Sequence, residues 1–356
     1  VLFAYWIGMG VLAIFEGLKD RIPARSAAVA AIVVSMLVPG ILVAEGWTDH
    51  NRSNRYLARD SAIAYLESVA PNAILFTQGD NDTYPLWYAQ EVEGIRTDVR
   101  IVNLSLLAVD WYVDQLHNKI NDADPVKLRF TDKHYMGDRL LQTQVEENQR
   151  FIQQYGNNLD NALNYVKEMA GNPNVTPDKL VLPIRNFVVP LDTNNPVLAG
   201  MVPDQFANSM VSELRGSVGG QNKNTIVRDE MIILDIVASN FPERPIYFSV
   251  TVDRRKHMGL SKYMQREGLA WRLIPANPPG TNREFNNTDM MFDNIVNKWK
   301  WGNLDSEDHV YMEETAMRTA KMLRGNLIFL AQVMASEGKK EKARQVLALL
   351  EEKFPT

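Results

Sequence analysis

The segment Gly79-Asp80-Asn81-Asp82-Thr83-Tyr84-Pro85-Leu86-Trp87-Tyr88 puts carboxylates and aromatic rings side by side. Asp80 and Asp82 can accept hydrogen bonds from sugar hydroxyls or hold a hard cation, and Tyr84, Trp87 or Tyr88 can offer an apolar face to a sugar ring. The same mixture returns at Asp110-Trp111-Tyr112. Asp80, Asn81, Asp82, Tyr84, Trp87, Asp110 and Trp111 therefore form a candidate ligand-binding set of saccharide-site composition. A plainer reading stands beside it: Asp82 or Thr83 suits a helix start, Pro85 a first turn, and the rings a core. Capping alone leaves Asp80 and Asn81 without a role.

Few other chemistries are open to this chain. Cysteine is absent, which removes disulfides, thiolate zinc sites and a cysteine nucleophile. There is no phosphate-loop pattern, no Gly-x-Ser-x-Gly elbow, no His-Glu-x-x-His and no dinucleotide fingerprint. His50, His117, His134, His257 and His309 have no ligand spacing, so no metal site or cofactor is assigned, and a divalent ion at Asp80 and Asp82 is the weaker alternative. Net charge is -5 with no block of like charge, which excludes a nucleic-acid partner. Arg254-Arg255-Lys256 with Lys262 and Arg266 reads as a solvated face before it reads as a phosphate or lipid-headgroup site.

The candidate residues need strands and helices to hold them. Ala73–Thr77 and Val99–Leu104 are short apolar runs of the kind buried on both faces of a sheet. A helix precedes the first run, with Ser53 or Asn54 as its cap; a second, from Gly79 to Gly94, separates the runs; a third opens at Asp110. Glu230–Val237 reads as a buried helix, Pro245–Val250 as another interior strand, and Leu269–Ile274 as a strand with the alternation of an edge. Helical crossovers between buried runs imply a doubly wound, mainly parallel α/β domain. Its ligands bind beyond the carboxyl ends of the strands, where Asp80 and Asp110 both stand. Residues 125–225 are rich in Asn, Gln and Asp, and show helical stretches near 140–170 and a strand-like Phe187–Val189.

The ends of the chain are of another kind. Residues 26–44 carry no charge, enough to cross a hydrocarbon core, and residues 1–15 read as the latter part of another span. Two transmembrane helices are expected over residues 1–46, with Trp47 at the interface and the beginning of the protein upstream of Val1. Lys19, Arg21 and Arg25 in the connecting loop send the following domain, residues 51–310, to the extracytoplasmic side, although Arg52, Arg55 and Arg59 weigh the other way. In residues 311–356, Leu327, Leu330, Ala331, Met334, Gly338, Ala343, Leu347, Leu350 and Pro355 fall at the spacing of a tetratricopeptide helix pair, and equally suit an ordinary helical hairpin.

Several motifs resemble a family of bacterial multi-spanning membrane proteins: Asn51-Arg52-Ser53 with Arg55-Tyr56-Leu57-Ala58-Arg59-Asp60, the run Gly79–Gly94, and Asn103-Leu104-Ser105-Leu106-Leu107. Glu230–Asp235, Arg244-Pro245-Ile246-Tyr247-Phe248 and Leu269-Ala270 with Arg272-Leu273 extend the likeness. The family is related to animal transmembrane protein O-mannosyltransferases of GT-C-type membrane fold. The resemblance implies a glycosyltransferase parent, a lipid-linked sugar donor, and an acceptor polypeptide or glycan as further partner, in the bacterial inner membrane with a periplasmic domain. It also implies a reaction centre upstream of Val1, so no catalytic residue is carried over. Asp80-Asn81-Asp82 also matches, in three residues only, the Asp-x-Asp of nucleotide-sugar transferases that hold a divalent metal. Three functions follow: an acceptor-recognition part of a membrane glycosyltransferase, a metal-dependent α/β enzyme using Asp80 and Asp82, or a membrane-tethered scaffold.

Overall fold

The computed structural model describes residues 2–219, 224–277, 285–304 and 312–354; His309, Pro355 and the boundary expected at 310–311 lie outside them. Two compact units divide the chain after Arg55. The first holds helices α1 (Leu2–Lys19) and α2 (Ala24–His50), which pair with each other. Ala27 and Ala31 are the buried residues of α2, small and four apart, as suits close helix approach. Ile32, Val33, Met36, Leu37, Ile41 and Val43 stand more than half exposed, an outer surface matched to hydrocarbon rather than water. Pro39 is accommodated inside the helix. Two spans were expected; among the described residues one helix, α2, is long and apolar enough to cross a membrane, and the 18-residue α1 falls short of that measure. Helix α2 also runs past the expected end at residue 46, to His50.

The second unit begins with α3 (Leu57–Glu67). Neither Ser53 nor Asn54 caps it, because Asn54 adopts a left-handed φ of 62° and the helix starts only after Tyr56. Strand β1 (Ile74–Thr77), helix α4 (Asp80–Glu91), strand β2 (Arg100–Asn103) and helix α5 (Asp110–Gln115) follow. The segment that resisted reading from sequence supplies helices α6 (Asp132–Tyr135), α7 (Gln149–Tyr155), α8 (Leu159–Gly171) and α9 (Pro196–Met201). It also supplies strands β3 (Gln142–Val145), β4 (Val181–Leu182), β5 (Asn186–Pro190), β6 (Glu213–Ser217) and β7 (Thr225–Val227). These form two small sheets, β4-β3-β7 and β5-β6. Helix α10 (Arg228–Asn240) then leads into β8 (Ile246–Ser249), β9 (Met264–Arg266), β10 (Ala270–Leu273), β11 (Phe285–Asn286) and helix α11 (Thr288–Phe292).

The main sheet has the order β11-β9-β10-β8-β1-β2. Strand β1 is parallel to both neighbours, Ile74 facing Arg100 on one side and Ile246 on the other, and all three strands are fully buried. Burial on both faces is why their sequences read as unbroken apolar runs. The mainly parallel α/β expectation holds. Strand β10 differs from its expected place: it lies inside the sheet, antiparallel to β8 and β9, with Trp271 and Arg272 half-buried on opposite faces between buried Ala270 and Leu273. Since β1 leads by α4 to β2 on one flank while β8 returns to the other, the winding reverses between β1 and β8.

One hydrophobic core joins the main sheet to the middle segment, with Phe76, Val102 and Phe248 in the same cluster as Leu163, Leu182 and Ile233. Asp235, fully buried on α10, holds the middle segment down: it accepts from Arg129 Nε at 2.6 Å and from the Arg129 main-chain N–H at 2.8 Å. The closing hairpin, α12 (Glu314–Ser336) and α13 (Lys340–Lys353), turns at Gly338 with φ 79°. A side chain at that position would meet nothing within 4 Å, so the turn needs glycine for its backbone angle and not for want of room. The hairpin docks on the sheet through Arg266, whose guanidinium stands between the rings of Trp271 and Phe329 and donates to Asn326 Oδ1 at 2.5 Å.

Candidate functional site

The loop from β1 into α4 turns at Gly79, whose φ of 83° and extended ψ of 179° favour a residue without Cβ. Thr83 pins this turn from within. Its hydroxyl donates to Gly79 O at 2.7 Å, lies 2.8 Å from the Thr77 hydroxyl, and accepts from Asn103 Nδ2 at 2.9 Å. The ends of β1 and β2 are thereby tied together, and the cap is Gly79 rather than Asp82 or Thr83. Asp80, Asn81 and Asp82 form the first helical turn, where the exposed N–H groups and the helix dipole favour acidic residues. Pro85 sits deeper, inside the helix rather than in its first turn.

Two residues apart on a helix, Asp80 and Asp82 do not face one another. Asp82 turns inward and accepts from the hydroxyls of Ser249, the last residue of β8, at 3.2 Å, and of Thr251 just beyond it. Burial pushes its carboxyl up from the ordinary carboxylate range, and the hydroxyls and the Gln78 main chain pull it back. Asp80 is exposed and has no hydrogen bond or ion pair among the described residues. The pair does not converge on a cation, and among the described residues no cluster of three or more carboxylate or imidazole groups is placed to hold a metal ion.

Asp110 is spent on structure. Its carboxylate accepts from the main-chain N–H groups of Trp111, at 2.8 Å, and Gly137, at 3.2 Å, and these amides, Gly137 first, hold its pKa below the usual range. Arg228, buried at the start of α10, ties the same loop by donating to Ala108 O and Gly137 O. The expectation that Asp80, Asp82 and Asp110 open onto one crevice is not met: one faces solvent, one the end of β8, one the loop at Gly137.

Two concavities of the second unit lie near these loops. The first, about 710 Å³, lies where the winding reverses; Gln78 follows β1 and Asp253 follows β8, bridged by the Asp253 N–H donating to Gln78 Oε1 at 2.9 Å. Its basic residues are offset by acids: Arg255 pairs with Asp253 at 2.5 Å, and Lys256 with Asp229 at 2.5 Å. With Lys262 over the Tyr263 ring and Arg266 engaged with the hairpin at Phe329 and Asn326, the run Arg254 to Arg266 makes no single basic patch. The second concavity, about 500 Å³, lies between α4 and α5 over the edge strand β2, and Trp87 and Trp111 both line it. Asp80, Asp82 and Asp110 do not.

A family model described as TMEM260-associated domain 2 matches residues 58–292, about two-thirds of the chain. The chain belongs to that family. TMEM260 is an animal O-mannosyltransferase, so the relation read from the motifs holds at the level of this domain, and the motifs from Gly79 to Leu273 all fall within the matched span. No curated protein and no solved structure matches the chain.

Sequence reasoning missed Ser249 and Thr251, whose position just past a buried apolar run was the available signal. It also missed Glu91 and Asn121 in the α4–α5 cleft, for which periodicity offers none.

Proposed function

We propose that this chain is the extracytoplasmic C-terminal part of a membrane glycosyltransferase using a lipid-linked sugar donor, and that its α/β domain recognises the acceptor polypeptide or glycan while the reaction centre lies in the membrane part of the parent. The observation that carries this reading is the match to the TMEM260-associated domain over residues 58–292, directly following a helix apolar enough to span a membrane. The basic loop between α1 and α2 supports an outward-facing domain, periplasmic in a bacterial inner membrane. A metal-dependent enzyme at Asp80 and Asp82 has no support in their opposed directions.

The test uses the parent protein in liposomes with donor and acceptor. Deleting residues 56–356 abolishes transfer to the acceptor while slow hydrolysis of the donor persists. Undiminished transfer after the deletion, or transfer by the present chain alone, would overturn the reading.

A further inference from the structure

We infer that the cleft between α4 and α5 is a saccharide subsite for one or two neutral pyranose rings. Its volume of about 500 Å³ falls in the range of small-molecule pockets. Trp87 contributes an indole from α4 and Trp111 one from α5, the latter 57% exposed. Each ring has an aromatic neighbour: Trp87 lies 5.5 Å from Tyr84, and Trp111 stands edge-on to Tyr112 at 5.7 Å. A ring already held in place loses little freedom when it covers a sugar face.

The polar rim fits hydroxyls. Glu91 Oε1 accepts from Asn121 Nδ2 at 2.7 Å, which orients the pair and leaves Glu91 Oε2 and the Asn121 carbonyl to receive sugar O–H groups. Gln115 adds an amide that can both donate and accept. Charge selects against anionic sugars. Arg100 lines the cleft but is 3% exposed and donates to Gln115 O at 2.9 Å and Asn118 O at 3.0 Å, so the accessible charge is the Glu91 carboxylate.

An extended peptide is the rival occupant, since β2 is an edge strand and edges accept added strands. Outward groups at both ends of β2 are already engaged. Val99 O accepts from Gln90 Nε2 at 2.8 Å, the Val99 N–H donates to Arg96 O at 3.1 Å, and the Asn103 N–H donates to the Tyr112 hydroxyl at 2.9 Å. Strand addition would have to break these bonds, whereas a sugar held between the indoles leaves them intact.

This inference deepens the recognition role proposed above and rests on it for biological meaning, but its test is separate. The whole chain, in a detergent without a sugar headgroup, is titrated with mannobiose, cellobiose and diacetylchitobiose by saturation-transfer NMR and calorimetry. At least one disaccharide binds, Trp111→Ala and Glu91→Gln each weaken it tenfold or more, Trp111→Phe retains part of the affinity, and Asp80→Asn has no effect, with all four variants melting as the parent chain does. Absence of binding by all three sugars, or equal affinity in Trp111→Ala, overturns the inference, as does binding of an unglycosylated peptide that the sugars do not displace. Lost sugar binding with a domain deletion that still abolishes transfer would sink only the subsite. Sugar binding with undiminished transfer after the deletion would sink only the recognition role.

Discussion

Acid should unfold this domain partly through one imidazole, His257, on the segment following β8. Its side chain is 1% exposed, its Nδ1 lies 3.0 Å from the Ser261 hydroxyl, and its ring packs 5.0 Å from Phe248. Burial, reinforced by the charge of Arg254 and opposed by Asp253, pushes the imidazole down from 6.5 to about 4. The folded state thus keeps His257 neutral over a range where the unfolded chain takes up a proton. Because the unfolded state then binds more protons, unfolding free energy falls as pH drops below the unfolded pKa, and the loss levels off below the folded one. A shift of this size corresponds to roughly 3 kcal/mol at about 1.4 kcal/mol per pKa unit. The assay is urea unfolding of the whole chain in detergent at pH 7, 6, 5 and 4, for the parent and for His257→Gln. Carboxylates titrating in the same window cancel in the difference. The parent should lose about 3 kcal/mol relative to the variant between pH 7 and 4. Parallel curves would refute the argument.

Three further outcomes follow from residues already placed. Asp80→Asn changes unfolding free energy by no more than about 0.5 kcal/mol, since the carboxylate has no contact to lose; a lowered melting temperature would assign it a structural role. Asp235→Ala destabilises by about 3–5 kcal/mol because Arg129 Nε and the main-chain N–H groups of Arg129 and Phe130 lose their acceptor in a mostly buried site, even though the guanidinium keeps its pair with Asp160; an unchanged denaturation midpoint would contradict that. Gly338→Val costs about 1–2 kcal/mol through its left-handed backbone angle, while Gly338→Asn costs less; equal melting of the two would show that the angle relaxes freely.

The parts of the fold that could be read from sequence are those where one stretch of chain determines its own environment. Ile74–Phe76, Ile101–Val102 and Ile246–Phe248 are apolar because each strand is covered on both faces, and Gly79 and Gly94 mark helix limits by their backbone angles. Strands β4 and β7, two and three residues long, are too brief to show a period. At the candidate site, composition pointed to Trp87 and Trp111 but not to their setting. The direction of Asp82 is decided by Ser249, 167 positions away, and the Glu91–Asn121 contact spans 30 positions between exposed polar residues that no local pattern distinguishes.

The placement of β8 beside β1 also has a consequence for biosynthesis. Ile74 pairs with Ile246 through a ladder that cannot form until the later strand has been made. At the usual ~5–20 residues per second, the intervening ~170 residues take roughly 10–30 s to emerge. Through that interval β1 can pair with β2 on one flank only, and the other flank is an open ladder of apolar composition, the kind of surface that nascent chains lose to aggregation. The growing polypeptide must therefore be shielded on that side while the middle segment is translated, and slowing synthesis before Ile246 should lower the yield of folded protein more than slowing it afterwards.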